Sequence, residues 1–273
     1  MPFNKTTIQD KELSIQIFKD GFSFCTPNAR PFFKFENHSI EKGDAFHELL
    51  KSYSFLECEK IKAVHFDHRA TFVPKSLYNP AQKKNYLNYN VSLEEGWSIA
   101  EKQTQDDQVK ILYPFEQQTE TTLQHYFKDI SFTHYSQILY DLSTTVMNED
   151  DTMVMNLHMQ DDEFDLLVFR GNKLLLFNTY PYKNEDSFLY FVLAVAEELS
   201  LSSDGFSIVF FGKYARYKKC YDALDYYHQK ITFSDQQTFL LFDEKVHPAP
   251  YFINLFDWCG LFLVFTKAER SLL

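Results

Sequence analysis

One order of elements runs through this chain twice, and it restricts the fold more than any single motif does. Residues 12–37 read as three consecutive strands. Leu13, Ile15 and Ile17 alternate with Ser14 and Gln16, Asp20-Gly21 supplies a tight turn, Phe22 and Phe24 resume the alternation, and Pro31 to Glu36 adds a short third strand. Gly43 to Lys51 predicts a helix with Phe46, Leu49 and Leu50 on one face, and Ile61 to Phe66 returns to strand character. The second half starts over: Met153 to Met159, Phe164 to Phe169 and Lys173 to Tyr180 are three strands, with Gly171-Asn172 closing the last turn. Asn184 or Asp186 caps a helix to about Leu199, Phe206 to Phe211 is a fully apolar strand, and a further helix spans Ala215 to Tyr227. Hairpin-linked strands followed by helical crossovers give an α/β fold with mixed sheets.

The first half carries extra material. Thr71 to Val73 is strand-like, and Asn79 with Pro80 opens a short helix toward Asn88. Residues 89–108 are polar and read as a hairpin-like insertion, followed by a strand from Val109 to Tyr113 that ends at Pro114. Helices are expected over Gln117–Lys128 and Gln137–Val146. The acidic run Asn148 to Asp151 marks the boundary, which gives domains of 1–146 and 147–273. In the second half, strands are also expected at Ile231 to Phe233 and Thr238 to Phe242.

The repeat resembles the actin-like ATPase architecture, two ribonuclease H-like lobes around a nucleotide cleft. Leu13-Ser-Ile-Gln-Ile with Asp20-Gly-Phe-Ser-Phe24, and Asp165 to Lys173, are similar to an uncharacterised bacterial family of that fold, itself distantly similar to platform proteins of pilus assembly and cell division. The resemblance implies an Asp-x-Gly near the first hairpin of each lobe, the Asp for metal or its water and the Gly for phosphate. In this chain the first strand offers neither residue, and Asp20-Gly21 lies at the turn itself. The second has Asn156 and His158 in those places, and the adenosine-side Gly-Gly is reduced to Gly212. With only 7 glycines in 273 residues there is little room for phosphate-cradling loops. ATP with magnesium is therefore not expected as a cofactor, though the reading leaves it open. Asp20, Gly21, Asn156, His158 and Gly212 are the residues of a degenerate cleft. Bulky groups such as His158 or Phe210 are expected there in place of phosphate-binding backbone.

Charge argues in the same direction. Lys and Arg number 27 against 38 Asp and Glu, a net of −11, which disfavours duplex nucleic acid and anionic membranes. The run Lys213 to Lys219 interleaves bases with aromatics and could meet single-stranded RNA. Its blander reading is a solvated helix face with Tyr217 and Tyr221 turned inward. His65-Phe-Asp-His68 suggests a metal or acid–base cluster, but on a strand His68 points away from His65 and Asp67, so no metal is assigned. Ser143, Ser202 and Ser207 lie in no nucleophile-elbow context. Tyrosines concentrate at 78–89 and 221–227, and Tyr78, Tyr86, Tyr89, Tyr217 and Tyr221 are taken as interaction candidates. Four scattered cysteines, no leader-like start and no apolar run near the roughly 20 residues of a bilayer span place the chain in the cytoplasm. These features point to a scaffold or adaptor that binds a protein partner or itself. The alternatives are an actin-like ATPase or phosphotransferase and, more weakly, an RNA-associated factor.

Overall fold

The computed structural model describes residues 12–18, 21–25, 32–34, 43–89, 91–145, 151–202, 204–211, 214–234 and 264–265. They form two compact units that part between Ile138 and Leu139.

In the first unit, β1 (Glu12–Phe18), β2 (Gly21–Cys25) and β3 (Phe32–Lys34) form an antiparallel meander. Helix α1 (Gly43–Ser52) leads to β4 (Lys60–His65), which lies parallel to β1. Between β4 and the next strand of this sheet the chain builds a separate three-stranded sheet. It uses β5 (Thr71–Pro74), helix α2 (Lys83–Asn88), β6 (Trp97–Gln103) and β7 (Val109–Glu116), in the order β5-β7-β6. Val73, Leu87, Val91 and Leu112 form its own small core. The Asn79 side chain caps a tight helical turn ahead of α2 by accepting from the Ala81 N–H. Strand β7 does not stop at Pro114 but runs on to Glu116, because β5 pairs it only as far as Leu112 and leaves one edge of its second half open.

Helix α3 (Gln117–Tyr126) then returns to the main sheet and delivers β8 (Ser131–His134), a strand the sequence reading lacks, parallel to β4. Helix α4 (Tyr135–Thr145) follows directly. Its first turn belongs to the first unit, where Tyr135 stacks on Phe66, and the rest belongs to the second, where Tyr140 packs against Phe169. The units therefore divide inside a helix, earlier than the 146/147 division read from the acidic run, most of which lies outside the described residues.

The second unit repeats the plan without the insertion. Strands β9 (Met153–Met159), β10 (Glu163–Arg170) and β11 (Lys173–Pro181) form the meander. Gly171 takes the left-handed conformation (φ 55°) that the two-residue β10–β11 turn requires. Helix α5 (Glu185–Glu198) starts with a reciprocal cap between Asn184 and Ser187 and carries the chain to β12 (Phe206–Phe211), parallel to β9. Helix α6 (Tyr214–Tyr227) then leads to β13 (Ile231–Ser234), parallel to β12, and β14 (Val264–Phe265) closes the edge. The strand expected at Thr238 to Phe242 lies outside the described residues. The sheet orders are β3-β2-β1-β4-β8 and β11-β10-β9-β12-β13-β14. The first five strands of each correspond one to one, with the same directions throughout.

Each sheet has one fully apolar face. Leu13, Ile15, Ile17, Phe22, Phe24, Ile61 and Ala63 meet Phe46 and Leu50 of α1 and Leu123 of α3. Met155, Leu157, Phe164, Leu166, Ile208 and Phe210 meet Phe188 and Val192 of α5 and Tyr221 and Leu224 of α6. Strand alternation sends the intervening residues to the other face, where buried polar groups (Ser14, Gln16 and Ser23; Asn156, His158 and Asp165) lie among buried apolar ones (Val64; Leu167, Phe169, Val209 and Phe211).

Candidate functional site

The second face of the β9–β14 sheet contains Asn156 and His158, two of the residues singled out by the sequence. On β9, Asn156 and His158 are both buried. On β10, Asp165 sits directly opposite His158 and is fully buried. His158 Nδ1 donates to Asp165 Oδ2 at 2.8 Å, and Gln160 Nε2 donates to the same oxygen at 3.0 Å. Thr179 of β11 donates its hydroxyl to Oδ1 at 2.6 Å. One carboxylate thus gathers three donors from three neighbouring segments. Asn156 stands apart: among the described residues, neither its amide nitrogen nor its oxygen meets a hydrogen-bond partner. Of the paired aromatics on β12, Phe211 is the one that lies opposite His158, while Phe210 belongs to the apolar face. The bulky neighbour is therefore Phe211, because side chains alternate along β12.

The turn between β9 and β10 is closed upon itself. The Gln160 N–H donates to the Glu163 carbonyl (2.9 Å), and the Gln160 carbonyl accepts from the Tyr182 hydroxyl (2.7 Å). The Tyr182 N–H donates to the Asp162 carbonyl (3.0 Å). Arg216 of α6 reaches back to Asp161, with Nε 2.9 Å from Oδ1. Burial opposes ionisation of the Tyr182 and Tyr217 hydroxyls, pushing both well above the ordinary phenol range, and pushes the Cys220 thiol up to about 11, so the ground beneath this clamp stays neutral.

The corresponding hairpin of the first unit is simpler. Ser14, Gln16 and Ser23 are buried on its second face, with Gln16 opposite Ser23. Gly21 opens β2 opposite Phe18, whereas Asp20 lies outside the described residues, as does Gly212 in the second unit.

The other candidates scatter. His65 closes β4 and turns to Glu120 of α3 at 2.8 Å, beside the Phe132 and Tyr113 rings. Asp67 lies past the strand end and is held by Arg69; burial acts to raise its carboxyl, but the Arg69 hydrogen bonds and charge outweigh it and hold it below the usual value. His68 is exposed, so the three residues do not converge. Tyr78 donates to Glu101 (2.6 Å), and burial together with that carboxylate pushes its hydroxyl up to about 12. Tyr86 bridges the Leu77 carbonyl and the Asn79 N–H. Both rings are thus employed in the three-stranded sheet, and only Tyr89, 92% exposed, stands open. Tyr217 and Tyr221 are buried among α5, α6 and the sheet and present no surface, because their spacing places them on the inner face of α6. In the basic run, Arg216 pairs with Asp161 and Lys218 with Asp222. Tyr226 and Tyr227, at the end of the tyrosine-dense stretch 221–227, are exposed, as is Tyr190 on α5, which the sequence reading did not single out.

A profile of proteins of unknown function, DUF3822, matches residues 1–231. The chain belongs to the DUF3822 family. No curated protein matches its sequence. Among solved structures, this DUF3822 chain is similar to a Bacteroides thetaiotaomicron protein with an actin-like ATPase fold and unknown function, at 19% identity and a TM-score of 0.67. The match covers 81% of this chain and 89% of that one. It is also similar to a chain of a PilM–PilN type IV pilus biogenesis complex, at 12% identity, TM-score 0.45, and 81% and 87% coverage. An Alp12 filament protein matches at 12% identity, TM-score 0.38, and 83% and 94% coverage. The fold is that of the actin-like ATPases, with the lobe duplicated. Among the described residues, no helix is long and apolar enough to cross a membrane.

Proposed function

We propose that this DUF3822 protein is a non-catalytic actin-like scaffold or adaptor, binding a protein partner or itself, whose nucleotide site has degenerated. The observation that carries the proposal is the self-closed β9–β10 turn. A phosphate needs backbone N–H groups free to point at it, and magnesium needs an accessible carboxylate. Here the Gln160 N–H is spent on Glu163, and Asp165 is buried beneath three donors. Asp161, Asp162 and Glu163 would also set three carboxylates against a triphosphate. These residues do not fit a magnesium nucleotide.

Thermal melting with and without magnesium-ATP, together with a phosphate-release assay, tests this reading. The expected result is no shift and no release. Binding to the native state at a hundredfold excess over Kd would add about 2.7 kcal/mol of stability. A saturable shift of that kind would establish the ATPase or phosphotransferase reading instead. Pairing of Arg216 and Lys218 with acids weighs against RNA, as does the net charge.

A further inference from the structure

Helix α5 contains the longest apolar run of the chain, Phe188 to Ala196, yet it packs on the sheet with one face only. Phe188, Val192 and Val195 turn inward. The opposite stripe, at helical spacing, reads Asp186, Tyr190, Leu193 and Glu197. Tyr190 is 67% and Leu193 40% exposed, and no charge separates them over two turns. Acids bracket this patch at both ends: Glu185 and Asp186 before it, Glu197 and Glu198 after it, with no basic residue in the last turn. The first pair suits the helix N-terminus, but the second opposes the helix dipole. Among the described residues no cation pairs with Glu197 or Glu198.

The geometry points to the outer face of α5 as the docking surface for a basic, apolar segment of a partner protein, Lys or Arg flanking aliphatic or aromatic side chains. This assignment rests on the scaffold reading and gives it a surface. A second copy is a poor occupant, because antiparallel α5 helices would set Glu197 and Glu198 against Glu185 and Asp186. A basic segment relieves the unfavourable charge at the helix end while covering Tyr190 and Leu193.

Selection of a random dodecapeptide display library on the full-length protein tests this. The expected binders combine Lys or Arg with apolar anchors. Leu193→Asp should raise the Kd of the selected peptides at least about tenfold, and so should the pair Glu197→Lys and Glu198→Lys, with melting temperatures unchanged. The charge-reversal pair keeps the test decisive if Leu193→Asp fails to fold. Enrichment of acidic or uncharged peptides, no enrichment at all, or binding indifferent to both variants overturns the assignment. So does a dimer in sedimentation that Leu193→Asp dissolves, since the face would then belong to a second copy. The nucleotide melting experiment is independent, so either reading can fail alone.

Discussion

The β1–β2 and β9–β10 hairpins hold the same place in two sheets of identical strand order, and both bury polar side chains opposite the apolar core. What they bury differs. Gln16 faces Ser23 in the first, whereas His158 faces Asp165 in the second. The first hairpin thus carries neutral groups of modest desolvation cost. The second carries a carboxylate that is tolerable without water only because His158, Gln160 and Thr179 all donate to it. The fold accepts polar groups at this position in either lobe, and in the second they converge on one buried carboxylate.

The largest effect should come from breaking that dependence. Asp165→Ala leaves the buried His158 and the half-buried Gln160 and Thr179 without their shared acceptor, and loss of one partner from such a cluster costs about 3–5 kcal/mol. Ser23→Ala at the matching position should cost about 1 kcal/mol. Urea denaturation followed by probes in each lobe measures both. Equal losses at the two sites would mean that the network contributes nothing beyond an ordinary hydrogen bond.

The contrast also shows what a sequence discloses. The meanders, α5 and β12 were legible because alternation, Gly171-Asn172 and the apolar run Phe206 to Phe211 are local signals. Strand β8 was not, since Ser131 to His134 holds one apolar residue and is a strand only because β4 offers it a parallel edge. Continuation of β7 through Pro114 depended likewise on how far β5 reaches. Asn156 and His158 stood out because they occupy the places where the actin-like resemblance implies Asp and Gly. The network around His158 did not, because Asp165 and Thr179 approach across the sheet, and Arg216 meets Asp161 55 residues away in sequence. For Tyr217 and Tyr221 the helix spacing gave the inward reading that the structure has, while tyrosine density, which made them interaction candidates, says nothing of which helix face they occupy.

Acid should separate the lobes next. His228, at the end of α6, is buried against Phe206 with ring centroids 4.3 Å apart. Burial is the main cause that holds its ring neutral to a pH below the usual 6.5; the Phe206 backbone opposes it, Lys230 adds to it, and Asp204 opposes it. Above pH 6.5 both the folded and unfolded chains hold the ring neutral. As pH falls through that value the unfolded chain takes up a proton the folded chain resists, so stability declines. Asp67 in the first lobe has the opposite character. Its lowered carboxyl contributes stability that is complete above about pH 3.8 and is lost only as pH falls through its lower folded value. Urea midpoints at pH 7.5 and 5.5 should therefore drop in the native protein, drop less in His228→Leu, and drop as in the native protein in Asp67→Asn. A His228→Leu variant with the full native drop would assign the acid response to another group.

The smallest effect concerns Asn156. Its carboxamide lies beside the His158–Asp165 network on the same face of β9, fully buried, with no partner for either polar atom among the described residues. A polar group in that state loses its water without compensation, which costs about 1–3 kcal/mol. Leucine has nearly the same shape and no such debt, so Asn156→Leu should leave the fold intact and raise stability by about 1 kcal/mol. Ser14, whose hydroxyl is likewise buried without a hydrogen bond on the first hairpin, should gain less on change to Ala because less polar surface is removed. Denaturation midpoints of the two variants rank the sites directly. A loss of stability in Asn156→Leu would show that the amide is satisfied in solution, and that this face of the second lobe holds a polar group that the protein itself does not supply.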